Sequence, residues 1–192
     1  AHMFAYKNNY YLYIENTQVL DLNLIKIRNK FTVIYRNIDK KEDLHQLVKF
    51  RLKCKQRGIK FFIANDIKLT MKIKADGLYL SAFNKSFIGK YRSFCKLDLI
   101  GSAHNYNEIQ YKKKQGCSKI ILSRLFKTHY KKKRGFMGVI KFNITKKLSS
   151  IELIPLGGIR IGNLNYLKIV NSRALAILSE IKKKPAITSR LL

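Results

Sequence analysis

The sequence predicts an α/β domain folded as a closed (β/α)₈ barrel. Eight short apolar segments alternate with longer polar stretches of helical periodicity. Most of the apolar segments are continuous, as expected of parallel strands covered on both faces. The repeated alternation favours a closed barrel over an open doubly wound sheet. We expect one compact domain over residues 4–192, because no linker or low-complexity tract divides the chain, and we interpret residues 1–3 as a cloning scar ending in the initiator Met.

The predicted strands are short. They cover residues 10–14, 31–35, 61–64, 77–80, 97–100, 119–122, 152–156 and 174–178. Barrels of this type usually start at about 200 residues, so the fit is tight in a chain of 192. We therefore expect the final helix to be short or missing. An uncovered barrel face would expose apolar surface and favour a homodimer.

Two helices have the clearest patterns. The first covers residues 41–57, with Asp39 as its N-cap and Gly58 after its end. Its expected buried face carries Leu44, Leu47, Val48, Leu52 and Cys54. The second covers residues 105–115, with Asn105 as its N-cap.

The charge of the chain is strongly positive, with 40 basic and 11 acidic residues and a formal net charge of +29. Such a field attracts phosphates, nucleic acids and anionic membranes. However, the lysine runs at 112–114, 131–133 and 182–184 are dispersed, which favours a solvated exterior over a nucleic-acid groove. A lysine-rich composition with many Asn, Ile and Tyr residues is also typical of AT-rich genomes. Nucleic-acid binding is therefore the remote alternative.

The apolar runs, the first residues and the cysteines of the sequence indicate where the protein is located. No apolar run approaches the ~20 residues needed to cross a bilayer, and the start lacks the layout of a signal peptide. We therefore expect a cytoplasmic protein without a membrane partner. Cys54, Cys95 and Cys117 are widely spaced and odd in number, so we interpret them as small buried hydrophobes.

Polar residues follow the predicted strands, at the barrel end where function collects. They are Arg36, Asn65, Asp66, residues 81–84, Ser102, residues 123–131, Gly157, Gly158 and Ser179. Cations and amides suit phosphate oxygens, and a carboxylate suits Mg²⁺ held together with substrate phosphates. The set favours a pyrophosphate–Mg²⁺ substrate and a second phosphorylated molecule.

The paired Gly157 and Gly158 end the seventh strand. Without side chains, their backbone N–H groups can approach an anion closely. In (β/α)₈ barrels the loops after the last two strands often hold a phosphate. The pair therefore predicts a phosphate site.

Other interpretations stay open for several of these residues. Asn65 and Asp66 could cap a helix beginning at residue 67, and Arg36 could pair with Asp39 or Glu42 on the surface. Thr128 and Lys131 lie in a lysine-rich segment where solvated charge is the simpler explanation. The four histidines share no metal-ligand spacing, and no nucleophile–histidine set is evident.

Several segments together resemble the thiamine-phosphate synthase/TenI family. They are FFIANDIKLTMKIKADGLYLSAFN, IGSAHNYNEI, GCSKIILSRLFKTHYKKK and IPLGGIRIGN followed by ALAILSEI. The resemblance implies a (β/α)₈ barrel, usually dimeric. It also implies a synthase that joins a pyrimidine methyl pyrophosphate to a thiazole phosphate, giving thiamine phosphate and pyrophosphate.

The resemblance also implies roles for individual residues. Those that would act on the pyrophosphate are Arg36, Asn65, Ser102 and Lys131. Those that would hold the thiazole phosphate are Thr128, Gly157, Gly158, Leu178 and Ser179. Asp66 would bind Mg²⁺, and Asn84 occupies the position of a second metal ligand.

The chain departs from the family pattern at several of these positions. Ile34 and Ile38 replace the Gln and Lys of the Gln-x-Arg-x-Lys pattern, and Asn84 replaces the second metal-binding Asp, which should weaken Mg²⁺ binding. The catalytic histidine of the tautomerase branch falls at Arg124. The alternative function is therefore a TenI-like barrel that binds a thiazole or thiamine phosphate without synthase chemistry.

Overall fold

The computed structural model describes residues 7–25, 27–37, 42–87, 97–128 and 135–177, and it confirms the predicted barrel. Eight parallel strands pair in chain order, and β8 pairs with β1 to close the sheet. The strands are β1 (Asn9–Ile14), β2 (Phe31–Tyr35), β3 (Lys60–Ala64), β4 (Gly77–Leu80), β5 (Asp98–Ala103), β6 (Lys119–Ser123), β7 (Glu152–Leu156) and β8 (Ala174–Ile177).

All eight predicted strands are present, but the end of the fifth was wrong. We predicted residues 97–100, whereas β5 continues to Ala103. Residues 101–103 are small and were assigned to the following loop, yet all three are buried and Gly101, Ser102 and Ala103 pair with β6. Ser102 therefore belongs to the barrel wall.

The helices between the strands are short. They are α1 (Leu44–Gln56), α2 (Ile67–Lys72), α3 (Tyr106–Lys114) and α4 (Gly138–Leu148). The described chain also has 3-10 helices at Thr17–Val19, Leu22–Leu24 and Ile161–Ile169. A 3-10 helix thus takes the place of an α-helix after β7. The segment after β8, where we predicted a short or missing final helix, lies outside the described residues. Within the described parts of the chain, no helix has the length and apolarity needed to span a bilayer.

Helix α1 differs from its prediction in its N-cap and in one residue of its buried face. It begins after Asp43, whose side chain accepts hydrogen bonds from the backbone N–H groups of His45 and Gln46. The proposed cap, Asp39, lies outside the described residues. Leu52 is 51% exposed, because the buried stripe follows i, i+3, i+4, i+7 spacing through other residues. These are Leu47, Phe50, Arg51 and Cys54.

The strands carry two cores, one inside the barrel and one beneath the helices. The inner core consists of Tyr11, Tyr13, Ile34, Phe62, Tyr79, Ile100, Ile121, Ile154, Ala174 and Ala176. Side chains alternate between the two sides of a strand. Ile34, Phe62 and Ile100 point into the barrel. The residues two positions later therefore also face inward, at the carboxyl end of the barrel. These are Arg36, Ala64 and Ser102.

Two predictions about single side chains have different outcomes. Cys54 and Cys117 are buried, as expected, and Cys95 lies outside the described residues. Lys112 was expected to be solvated with its lysine run, but it is 1% exposed. Burial lowers the pKa of its ammonium group to about 8.

Candidate active site at the carboxyl end of the barrel

An open cleft of about 560 Å³ lies at the carboxyl ends of β2 and β3. Its lining includes Arg36, Asn65, Asp66 and Lys68. Arg36 extends the β2 ladder, because its backbone N–H donates to the Ile14 carbonyl at 2.8 Å. The cleft thus lies beside Arg36, Asn65 and Asp66, which were singled out at the ends of neighbouring strands, and also beside Lys68, which was not.

The turn from β3 into α2 fixes Asn65 and Asp66. Asn65 has φ 60°, a left-handed conformation that asparagine adopts more readily than most residues. Its Oδ1 accepts the Ser81 backbone N–H at 2.9 Å. Asp66 is the N-cap of α2, since its Oδ1 accepts the Leu69 N–H at 2.9 Å. The capping interpretation of Asp66 is therefore confirmed, and the same carboxylate lines the cleft.

The geometry around Asn84 does not fit a second metal ligand. Its Oδ1 accepts the Ser86 backbone N–H at 2.9 Å, and its Nδ2 donates to Asn65 Oδ1 at 3.0 Å. An amide nitrogen cannot ligate Mg²⁺, and the chain contains no Asp or Glu between Asp76 and Asp98 that could take over the role. The described residues also contain no group of three His, Cys, Asp or Glu side chains placed to hold a metal.

The cleft nevertheless fits one mode of Mg²⁺ binding. This ion often takes one or two carboxylates together with substrate phosphates. Asp66 offers one such carboxylate, although one of its oxygens already caps α2. The site therefore suits a metal brought by a phosphorylated substrate, and not a metal held by two protein carboxylates.

Three hydroxyl groups lie inside the barrel mouth, on Tyr13, Tyr79 and Ser102. The Tyr13 and Tyr79 rings meet edge to face at 5.5 Å, and Ser102 interacts with the Tyr79 hydroxyl. Burial raises the pKa of Tyr13 well above its usual value and also raises that of Tyr79, although the nearby Arg36 charge opposes both shifts. Both phenols are therefore neutral hydrogen-bond donors near neutral pH.

Neither tyrosine was among the predicted site residues. The Tyr13 hydroxyl interacts electrostatically with that of Tyr79, but among the described residues it has no partner at hydrogen-bonding geometry. The signal that could have found them is the two-residue period of β1 and β4, which places both rings on the inward face beneath Arg36. Ser102 was singled out, but as a loop residue.

The loops after β6 and β7 adjoin each other on another part of the barrel rim. Phe126 N–H donates to the Gly157 carbonyl at 3.0 Å. Gly157 and Gly158 have φ values of 102° and 70°, which favour glycine. A Cβ on Gly158 would lie 2.5 Å from the Phe126 carbonyl oxygen. Thr128 belongs to the same β6 loop, and Arg124 Nη1 lies 3.5 Å from its hydroxyl.

The structure therefore explains why two glycines are needed, and it brings the predicted phosphate residues Thr128 and Gly158 onto adjoining loops. Other predicted contacts, Lys131, Leu178 and Ser179, lie outside the described residues. The alternative pairing of Arg36 with Glu42 is not supported. Glu42 instead accepts hydrogen bonds from Thr17 and from the Tyr35 hydroxyl.

Comparisons with known proteins agree with this architecture. A thiamine-phosphate synthase of Pelagibacter ubique is 29% identical over 165 residues, covering 82% of this chain and 78% of the relative. One from Prochlorococcus marinus is 23% identical over 176 residues, covering 91% of this chain but 48% of the relative. The chain thus spans about half the length of that second relative.

Solved structures of other proteins share this fold. A thiamine phosphate pyrophosphorylase from Pyrococcus furiosus superposes with a TM-score of 0.74 at 13% identity, covering 97% of this chain and 93% of that one. The YdjI aldolase from Escherichia coli superposes with a TM-score of 0.65 at 8% identity, covering 97% and 86%, so the fold alone does not select a reaction. The sequence model described as thiamine monophosphate synthase matches residues 8–181, and the chain therefore belongs to the thiamine monophosphate synthase family.

Proposed function

We propose that this protein is a thiamine-phosphate synthase. It joins a pyrimidine methyl pyrophosphate to a thiazole phosphate and releases pyrophosphate. The observation that carries the proposal is the convergence of Arg36, Asn65 and Asp66 on one cleft at the functional end of a barrel of this family.

The reaction breaks the bond between the pyrimidine CH₂ carbon and the pyrophosphate oxygen, while the thiazole nitrogen forms a bond to that carbon. Negative charge develops on the departing oxygen, so groups that neutralise it lower the barrier. Arg36 would pair with the pyrophosphate oxygens, and Asn65 would donate a hydrogen bond to them. Ser102, which is buried on β5 and interacts with the Tyr79 hydroxyl, would also meet the leaving group, as the family resemblance implies.

Magnesium, when bound, would neutralise part of the pyrophosphate charge. Asp66 is the described residue that would hold it, with the substrate oxygens supplying further ligands. Lys131 would also meet the leaving group, as the family resemblance implies.

The second substrate would bind at the β6 and β7 loops. The Thr128 hydroxyl and the backbone of Gly157 and Gly158 would receive the thiazole phosphate, and Leu178 and Ser179 would complete that site. Binding both reactants at the same end of the barrel would hold the thiazole nitrogen close to the pyrimidine CH₂ carbon. This arrangement would remove much of the entropic cost of bringing two molecules together in the transition state.

Activity is measured with pyrimidine pyrophosphate, thiazole phosphate and Mg²⁺, followed by oxidation and thiochrome fluorescence. We expect product from the unmodified chain and a loss of roughly 100-fold or more in Arg36→Ala, since removing one transition-state donor costs about that much in other enzymes. Asp66→Asn keeps an acceptor for the α2 cap while removing the charge. It should lose activity without losing stability, which separates the catalytic role of Asp66 from its capping role.

A barrel that binds phosphates without turnover is the second candidate. It is favoured by Ile34, which is fully buried where the family pattern has Gln, and by the orientation of Asn84. Absence of thiochrome at high protein concentration, together with measurable binding of thiamine phosphate, would select this candidate over the synthase.

A further inference from the structure

We infer that Asn84 is a positioning residue for Asn65, and that it fixes the Asn65 amide so that its Nδ2 donor serves the pyrophosphate. This inference rests on the proposed function, because it takes pyrophosphate as the ligand of the cleft. It assigns to Asn84 a role that differs from metal binding.

Backbone donors determine the orientation of both amides. Asn84 Oδ1 accepts the Ser86 N–H at 2.9 Å, so the oxygen of this side chain must face Ser86. Asn65 Oδ1 accepts the Ser81 N–H at 2.9 Å, so its oxygen must face the segment that follows β4, residues 81–87, here called the β4 loop. An N–H group can only donate, and neither amide can be flipped without placing two donors together. Asn84 Nδ2 is consequently the atom that meets Asn65 Oδ1.

The Asn65 oxygen thus accepts two hydrogen bonds from the β4 loop. The remaining polar group of this side chain is its Nδ2, a donor suited to a phosphate oxygen. Asn65 lines the cleft beside Arg36. An aspartate at position 84 would instead bring a carboxylate oxygen against Asn65 Oδ1, which is also an acceptor. The hydrogen bonds at position 84 are therefore those of an amide, whose oxygen faces Ser86 and whose nitrogen faces Asn65.

Helix α3 holds the β4 loop in place from beneath. The buried Lys112 Nζ donates to the Asn84 carbonyl and to Gln115 Oε1, both at 2.8 Å. Gln115 Nε2 donates to the carbonyls of Asn84 and Ser86 at 3.1 and 2.7 Å. Buried polar groups that are fully paired rigidify their surroundings. The backbone of residue 84 is therefore fixed independently of its side chain.

The test is the affinity of the full chain for inorganic pyrophosphate, measured by calorimetry in EDTA and again with Mg²⁺. We expect Asn84→Asp to weaken binding about 3- to 10-fold in both buffers, as for the loss of one hydrogen bond. A metal ligand would respond in the opposite sense, with tighter binding in Mg²⁺. Unchanged or tighter binding by Asn84→Asp in EDTA, where no metal contributes, would overturn the inference.

A double-mutant cycle separates positioning from a general structural effect. Asn65→Gly removes the amide and tolerates φ 60°, so Asn84→Ala should weaken binding in the normal chain and have no further effect in the Asn65→Gly background. Equal effects of Asn84→Ala in both backgrounds would contradict the inference. Asn107→Ala, an exposed substitution on α3, is the matched control and should leave affinity unchanged.

The two proposals fail in different ways. Loss of pyrophosphate affinity in the Asn84 variants, without thiochrome formation by the normal chain, supports the positioning role and removes the synthase proposal. Thiochrome formation with unchanged affinity in Asn84→Asp and Asn84→Ala keeps the synthase and removes the positioning role. A normal chain that does not bind pyrophosphate at all also overturns the positioning role.

Discussion

Gly158 shows how one residue can be required by its neighbours. Its φ of 70° and the carbonyl of Phe126, 2.5 Å from where a Cβ would lie, both exclude a side chain. We expect Gly158→Ala to lower the free energy of unfolding by roughly 1–3 kcal/mol, the usual cost of a strained backbone position. Urea unfolding measures this value.

Gly162→Ala is the control, because a Cβ there meets nothing within 4 Å. If Gly158→Ala proved as stable as this control, the close approach of the β6 and β7 loops would be wrong. The sequence predicted a special role for the glycine pair. It could not distinguish anion binding from backbone approach, since the approaching loop is about thirty residues earlier in the chain.

Helix caps belong to the scale of the element, and here local sequence is a good guide. Asn105 Oδ1 accepts the Glu108 N–H at 2.9 Å at the start of α3, as predicted. We expect Asn105→Ala to destabilise the protein by about 1 kcal/mol, whereas Asn107→Ala in the same turn should change stability little. Thermal or urea unfolding of the two variants makes the comparison, and equal losses would argue against the cap.

The same element shows where local patterns fail. Lys112 lies in a run of three lysines in the last turn of α3, and nothing in the run itself marks one of the three as buried. The β4 loop covers Lys112, and its carbonyls supply acceptors that α3 lacks by itself. The start of α1 was misplaced for a simpler reason, because Asp39 and Asp43 are both acceptable N-caps and periodicity does not choose between them.

At the scale of the whole molecule, charge and association are linked. The net charge of +29 makes copies of the chain repel each other. Helix α4 exposes Ile140, Ile144 and Leu148 on one side, which offers apolar surface for a partner. We propose a homodimer, as the family resemblance implies.

We expect the dimer to strengthen as salt rises from about 0.02 to 0.5 M, because screening weakens repulsion over this range. Sedimentation velocity at several protein concentrations measures the change. A neutral osmolyte at matched osmolality is the control and should not have the same effect. A monomer at every salt concentration would contradict the proposal.

The sequence by itself determined the barrel, because continuous apolar strands alternating with amphipathic segments have few other ways to bury both faces. It also located the polar residues at strand ends, including Arg36, Asn65 and Asp66. Tertiary structure decided what those residues contact. The direction of the Asn84 amide, the burial of Lys112 and the approach of Phe126 to Gly158 all depend on segments distant in sequence, whose pairing no local pattern encodes.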